Sequence, residues 1–486
     1  MRKISIDPNT RLEGHGKVEI ILDDDGNVKD AYFQVVEFRG FEKFCEGRHV
    51  EELPRITPKI CGVCPGAHHM ASTKACDAVF EVEPTETAKK LREIFYNAHV
   101  IHSHMLHFYA LSLPDLLLMS ADAKERNIFG LLNVLGKEVV AEAIECRGYA
   151  QKIQEMLAGH PIYPVFGLPG GVSKPLEEED RKKIEEMAKK LVEFGKKGLE
   201  IFENHVLKNE EILELIKERD VYYQETNYLG LVDENGCVNF YDGILKAVDP
   251  EGNIICTFEA KDYLDYIAEH VEPWSYVKFP YLKQIGWKGL VEGKGSGIYR
   301  VNALARLNVA DGMATPLANE AYKAMFEFFG KKPVHNILAY NWARLIEILY
   351  GAERILELVQ DEEVTSKDVR NIPKKKPSEG VGVVEAPRGV LIHHYVTDSH
   401  GVVEKVNLIV ATVQNNPAIN LSIKKAAQNL IKNGKVDGKI LNMIEMAVRA
   451  YDPCLACASH ALPGSMPLVV DIYWNGELYK RFIRNG

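Results

Sequence analysis

The sequence has no run of about 18 or more apolar residues, which excludes a membrane-spanning helix of ordinary length. Its opening, "MRKISIDPNT", lacks the apolar stretch of a secretory signal. There is no internal repeat and no Gly/Ser- or Pro-rich linker, so nothing in the 486 residues marks a division into strung domains. Positive charge is in short supply: 59 Lys and Arg stand against 69 Asp and Glu, for a net charge of −10 and a pI near 5.9. That balance argues against a general affinity for nucleic acid or anionic membranes. The one compact Gly-rich stretch, "GKGSG" at Gly293–Gly297, lacks both the GxGxxG and the Walker A spacing and is not a nucleotide site. Cysteine is sparse and odd in number, nine in all. Five of these (Cys45, Cys76, Cys146, Cys237, Cys256) are scattered singly and read as small buried hydrophobes, not as a disulfide framework.

What is present is an ordinary globular composition, 46% hydrophobic and 26% charged, able to bury a large core. "KVEIILDDDGNVKDAYFQVVEF" places two alternating runs on either side of Asp25-Gly26-Asn27, a hairpin signal that predicts a small N-terminal sheet. From Glu86 the period changes: Leu91, Ile94, Phe95, Ala98, Ile101, Met105 and Phe108 recur at helical steps. Further helical patterns cover Asp122–Leu157, Leu176–Leu207 and Tyr322–Gln360, the last broken near Pro333. Asp220–Lys288 reads as strands and loops, Asp361–Gly380 as a polar surface connection, and 381–415 as short apolar runs. The expected fold is α+β: one mainly helical unit with long central helices, a small N-terminal sheet and peripheral β structure.

The remaining four cysteines form two CxxC pairs, "ICGVCPGAHH" (Ile60–His69) and "DPCLACASH" (Asp452–His460), separated by most of the chain. Together they supply four thiolates, enough for a tetrahedral metal. Zinc modules usually space their pairs about 15 to 20 residues apart, whereas here a whole domain intervenes. Soft thiolates suit nickel, iron and zinc alike, so the cysteines leave open a structural zinc or single iron, a dithiol redox site and a buried functional metal centre.

The flanking residues narrow this. In chain order stand "DPNTRLEGHG", "FRGFE", "CGVCPGAHH", "HFYALSLPD", "EAPRGVL" and "DPCLACASH". Together they resemble the large subunit of nickel-iron hydrogenases, from residue 5 to the C-terminus. The resemblance implies that fold, reversible heterolytic cleavage of dihydrogen, and a nickel and an iron held together. Cys61 and Cys454 are then terminal on nickel, Cys64 and Cys457 bridge to iron, and the iron carries one carbon monoxide and two cyanides. Four thiolates and two cyanides against two divalent metals leave a charge of about −2, which is costly in a buried site without compensating donors. By resemblance Arg388 of "EAPRG" is that compensator, beside the iron and one cyanide, with Thr412 of "IVATVQNN" a second donor. Asp115 of "SLPD" and Asp452 are expected to hold Arg388. Glu13 of "RLEGH" is the implied proton relay, hydrogen-bonded to the Cys454 sulfur, and His68 a donor to a bridging thiolate. His99, His102, His104 and His107 do not share one helical face and read as packing and hydrogen-bonding groups.

Residues after His460, "ALPGSMPLVVDIYWNGELYKRFIRNG", read as a β-hairpin about Asn475-Gly476. The resemblance implies that 1–460 form the hydrogenase domain and that a maturation endopeptidase removes 461–486 once nickel is in place, so this sequence is expected to be the precursor. His460 is then expected to join Glu42 of "FRGFE" and a backbone carbonyl near Leu408 around magnesium, or iron. No further cysteine cluster is available for an iron-sulfur relay, so an iron-sulfur small subunit is implied, with a further electron-transfer partner. The motifs look like those of the cytoplasmic, methyl-viologen-reducing, non-deazaflavin enzymes of methanogens and related archaea, which feed heterodisulfide reductase and ferredoxin. Deazaflavin- and NAD(P)-reducing relatives share most of these motifs. Lys59 and "ATVQNN" depart from the family pattern. Outside this class stand a non-catalytic protein with zinc or iron on four cysteines, a dihydrogen sensor, and a quinone-oxidoreductase subunit of the same ancestry that has lost the cysteines.

Overall fold

The computed structural model describes residues 2–37, 39–460, 468–474 and 477–484. Its centre is a four-helix bundle of Glu86–Leu106, Lys137–Ala158, Glu178–Phe202 and Tyr340–Val359, each packed on two of the others. Thr85 caps the first, its side chain accepting from Ala88 N. Three acidic residues, Glu178, Glu179 and Asp180, occupy the first turn of the third, where the helix dipole favours negative charge. The fourth is buried on almost every side from Tyr340 to Ala352, as expected of a helix whose apolar residues cover all faces.

The expected helices are present, with one correction. The pattern over Asp122–Leu157 predicts a single long segment. The long helix instead begins at Lys137, after turns and a short helix at Leu132–Leu135, because Gly136 sits at φ 83° and interrupts the backbone.

The N-terminal sheet is a meander of Arg2–Ile6, Gly16–Leu22 and Val28–Val35. Its alternation of buried and less buried residues packs it on the Ala411–Leu430 helix. The middle region forms the predicted strands, with Asn227–Val232 central in its sheet. A third sheet orders Glu379–Ala386, Gly389–Thr397 and Val403–Ile409. Against it lies the Pro65–Val79 helix, whose approach depends on two glycines. A Cβ on Gly380 would stand 2.3 Å from Val79 N, and one on Gly382 2.2 Å from Ala71 O. The tail pairs Leu468–Trp474 with Glu477–Arg484, while Asn475 and Gly476 of the expected turn lie outside the described residues. Of the single cysteines, Cys45, Cys76 and Cys146 are buried as expected, but Cys237 and Cys256 are half-exposed. Among the described residues no helix is long and apolar enough to cross a membrane.

Candidate metal centre

Both CxxC pairs sit where a helix begins. Cys61 follows the turn Thr57–Ile60, and Cys64 caps the Pro65–Val79 helix, with Pro65 at the first helical position where its missing N–H costs nothing. Cys454 caps the short helix Leu455–Ala458, which carries Cys457.

The fold brings the four sulfurs together. Cys61 Sγ lies 3.2 Å from Cys454 Sγ, Cys64 Sγ 3.0 Å from Cys457 Sγ, and Cys454 Sγ 2.8 Å from Cys457 Sγ. All four are buried and their sulfurs lie within 4.8 Å of one another, and they form the one metal-competent cluster among the described residues. A soft four-sulfur donor set of this kind fits nickel and iron as it does zinc. A cavity opens on Cys64, Cys454 and Cys457, walled by Ala67, His68, Pro387, Arg388, Val410 and Thr412 but not by Cys61. It is a small void against one side of the cluster. The residues present therefore fit a thiolate-held metal centre.

Glu13 meets the cluster as expected. Its Oε2 accepts from the Cys454 thiol at 3.0 Å and from Ala456 N at 3.0 Å. Residue 13 is placed by a backbone bridge to Cys454, in which Leu455 N donates to Glu13 O. Gly14, at φ 83°, permits this approach, since a Cβ there would lie 2.7 Å from Leu455 Cβ. Burial raises the Glu13 carboxyl above its ordinary range, and the charge at Cys61 adds to the shift.

Arg388 donates from Nε to Asp452 O (2.7 Å), from Nη2 to Asp452 Oδ1 (2.9 Å) and from Nη1 to Ser103 Oγ (3.3 Å). Burial works against its cation, but Asp452 and the cysteine sulfurs outweigh that and hold its pKa above the usual guanidinium value. The expected contact with Asp115 is not made. Asp115 is bound by Arg449, at 2.6 and 3.2 Å, and by Arg11, so it ties the N-terminal loop to the 438–449 helix instead. Thr412 borders the cavity, and its Oγ1 accepts from Cys454 N at 3.0 Å. His68 Nε2 lies 3.3 Å from Cys457 Sγ.

Glu42, Leu408 and His460 also converge. His460 Nε2 lies 2.6 Å from Leu408 O and 3.6 Å from Glu42 Oε1, while Leu408 N donates to Glu42 Oε1 at 2.7 Å. His99 meets Gln154, His104 meets Glu347 and His107 meets Arg449 O, so these are packing and hydrogen-bonding groups. His102 is buried on the same helix, its Nε2 without a hydrogen-bond partner among the described residues.

Three groups escape a reading of the sequence. His393 lies behind His68. Arg344 donates to Ala450 O, and burial lowers its pKa to about 10 although Asp452 opposes the shift. Arg306 clamps the loop that carries Arg388: it bonds Glu347 twice at 2.6 Å, Glu385 at 2.8 Å, Ala386 O at 2.9 Å and Pro387 O at 3.3 Å. The available signal is the appearance of Arg344 and Glu347 inside the apolar run Tyr340–Ala352, where any charge must be buried and paired.

Glu385 in this clamp titrates at about 7, raised by burial against the pull of Arg306. Between an ordinary carboxyl value and about 7 the native state holds a proton that the unfolded chain releases. This group's contribution to stability is therefore complete below the unfolded value and is lost as pH rises through 7, at no more than about 1.4 kcal/mol per pH unit. Glu385→Gln removes the titration. Its stability relative to wild type, followed by denaturation from pH 5 to 8, is expected to rise with pH; a constant difference would contradict the assignment.

The comparisons with known proteins agree with this geometry. Residues 39–160 and 291–460 match the family model described as nickel-dependent hydrogenase, and residues 3–38 match one described as HoxL-like. The chain is 54% identical over 488 residues to an F420-non-reducing hydrogenase iron-sulfur subunit of Archaeoglobus profundus, covering all of both chains. It is 43% identical to an F420-non-reducing hydrogenase subunit of Methanothermobacter marburgensis, over 99% of this chain and all of the other. Among solved structures, an NAD+-reducing [NiFe]-hydrogenase in the H2-reduced state superposes with a TM-score of 0.89 at 37% identity, over 95% of this chain and all of that one. The Ni-Fe-Se hydrogenase of D. vulgaris Hildenborough, at 23% identity and a TM-score of 0.73 over 94% of this chain and all of that one, shares the fold. The chain belongs to the nickel-dependent hydrogenase family. It is the large, catalytic subunit of a nickel-iron hydrogenase, and so a metal-binding oxidoreductase.

Proposed function

We propose that this subunit cleaves dihydrogen reversibly and heterolytically, that Cys61, Cys64, Cys454 and Cys457 hold the nickel-iron centre, and that Glu13 carries the proton away. The observation that carries the reading is the Glu13 carboxylate 3.0 Å from the Cys454 sulfur. When bound, the centre with its carbon monoxide and cyanide ligands supplies the Lewis acidity that polarises dihydrogen and accepts its electrons. The Cys454 sulfur takes the proton and hands it to Glu13 Oε2. A carboxyl raised above its ordinary range by burial is suited to receive and release it. Arg388 stays a fixed cation on the cavity wall, aimed by Asp452, and stabilises negative charge there without titrating. Thr412 stands on the same wall. Asp115 acts at a distance, by fixing Arg449 and Arg11.

Electrons leave through a partner, because the described residues contain no other metal-competent cluster. We assign that role to an iron-sulfur small subunit, followed by a further electron-transfer protein such as a heterodisulfide reductase. The F420-non-reducing names of the relatives, and identities to them of 43% and 54%, favour an enzyme that does not reduce F420; we assign it to the cytoplasm, as its motifs resemble those of the cytoplasmic archaeal enzymes. Purified complex is expected to reduce viologen dyes with dihydrogen and to leave F420 unreduced; F420 reduction would move it to another subgroup.

Residues 1–460 are assigned to the mature form and 461–486 to a removed extension. The family match ends at His460. His460 presents Nδ1 to Cys457 O and Nε2 to Leu408 O, both at 2.6 Å. A neutral imidazole donates to only one acceptor, so the second position asks for an extra proton or a cation. Magnesium or iron held by His460, Glu42 and the Leu408 carbonyl meets that need. The intact mass of the protein from its native host is expected to lack residues 461–486; full length together with bound nickel would contradict the maturation step.

A further inference from the structure

A hydrogen-bonded chain runs away from the cysteines through Cys457. Its sulfur lies 3.3 Å from His68 Nε2, and His68 Nδ1 lies 3.1 Å from His393 Nε2. His393 Nδ1 lies 2.7 Å from Tyr395 Oη, which lies 2.8 Å from Ser72 Oγ. All five side chains are buried. His68 and Ser72 stand one turn apart on the Pro65–Val79 helix, and His393 and Tyr395 stand two apart on the Gly389–Thr397 strand, so each pair shares a face. The chain is thus stitched across the same helix-sheet junction that Gly380 and Gly382 bring close.

Proton positions along such a chain are set together. A neutral imidazole has one N–H and one lone pair, so fixing either end fixes every link. Burial disfavours a charge on either ring, and where His68 Nδ1 meets His393 Nε2 one of the two nitrogens must offer a lone pair. If His68 Nε2–H donates to sulfur, its Nδ1 must accept from His393 Nε2–H. His393 Nδ1 must then accept from the Tyr395 hydroxyl, which turns its hydrogen from Ser72 Oγ to the ring. The opposite polarity requires Cys457 to donate, which a thiol does and a metal-bound thiolate cannot.

We propose that His393 and Tyr395 are positioning residues that fix His68 as its Nε2–H tautomer and hold that hydrogen on the Cys457 sulfur. This rests on the reading of Cys457 as a metal ligand. It assigns the chain a static role: its far end, Ser72, is buried, so no member passes a proton to solvent, unlike the half-buried Glu13. A hydrogen bond to a ligating sulfur withdraws charge from it and raises the reduction potential of the metal it serves.

Neutron diffraction on deuterium-exchanged holoenzyme tests the polarity directly. Deuterons are expected on His68 Nε2, on His393 Nε2 and on Tyr395 Oη toward His393; a deuteron on His68 Nδ1 would overturn the proposal. A redox titration of the nickel signal tests the consequence. His393→Gln places an amide where Nε2 stood and can still donate to His68, whereas His393→Leu cannot. The Leu variant is expected to titrate at a more negative potential than wild type and the Gln variant to titrate with wild type. Equal potentials in all three, or the same shift in both variants, would overturn it. Both measurements are read on protein shown to contain nickel, so their failure is distinct from failure of Cys457 as a ligand. The neutron result decides even where the Leu variant does not load metal.

Discussion

Glu13→Gln is expected to keep its nickel and iron and to lose dihydrogen turnover and exchange by about 10²- to 10⁴-fold, the usual range for a lost proton-transfer group. The substitution is nearly isosteric. The amide oxygen can still accept from Ala456 N, and the backbone bridge that places residue 13 beside Cys454 is untouched. What disappears is a group that both takes a proton from the Cys454 sulfur and gives it up. Burial, opposed by the Cys454 and Ala456 hydrogen bonds, holds the wild-type carboxyl above its ordinary range. The low-pH limb of wild-type activity should accordingly lie above the pH of an exposed glutamate and should vanish in the variant. Isotope exchange between deuterium gas and water, with metal analysis on the same sample, reads both effects. Exchange at the wild-type rate with the metals retained would remove Glu13 from the relay.

Arg388→Lys is expected to lower turnover by about 10²- to 10³-fold, the cost of losing one preorganised charge donor, while leaving nickel bound. The guanidinium uses three nitrogens at once, on Asp452 O, Asp452 Oδ1 and Ser103 Oγ, and a lysine ammonium cannot reproduce that fork. Arg388→Leu should do worse. It strands the Asp452 carboxylate, which is buried and already has Oδ2 without a hydrogen-bond partner among the described residues, at a cost of about 3–5 kcal/mol for breaking a buried pair. The loss falls at the residue two before Cys454, held at φ 54°, a conformation an aspartate adopts only under constraint. Thermal denaturation should therefore separate the two variants, the Leu form melting lower. Wild-type turnover in Arg388→Lys would show that position 388 needs only a positive charge.

The parts of the molecule that the chain's own pattern determines are legible without coordinates. The Glu86–Leu106 helix follows from apolar spacing and the Thr85 cap, and the first hairpin follows from Asp25-Gly26-Asn27 between alternating runs. The four cysteines stand out because two CxxC pairs have few other uses. Pairings across space are a different matter. Asp115 cannot be assigned to Arg449 over Arg388 from the sequence, since both are buried arginines and only the packing of the 438–449 helix chooses between them. His393 carries no signal within "RGVLIHHY", because its meaning comes from the helix opposite it. Arg306, Glu347 and Glu385 come from three separate segments, and no local pattern joins them. The late start of the helix at Lys137 is hidden because apolar spacing continues across Gly136 while the backbone does not.

The most direct test of the central assignment is the nickel and zinc content of the complex purified from its native host under dihydrogen. Membership of the nickel-dependent hydrogenase family, with Cys61, Cys64, Cys454 and Cys457 gathered in one buried cluster, predicts one nickel per chain and no zinc, with nickel absent from a Cys61→Ser variant. Zinc bound to a fully processed wild-type chain, with nickel absent, would contradict it.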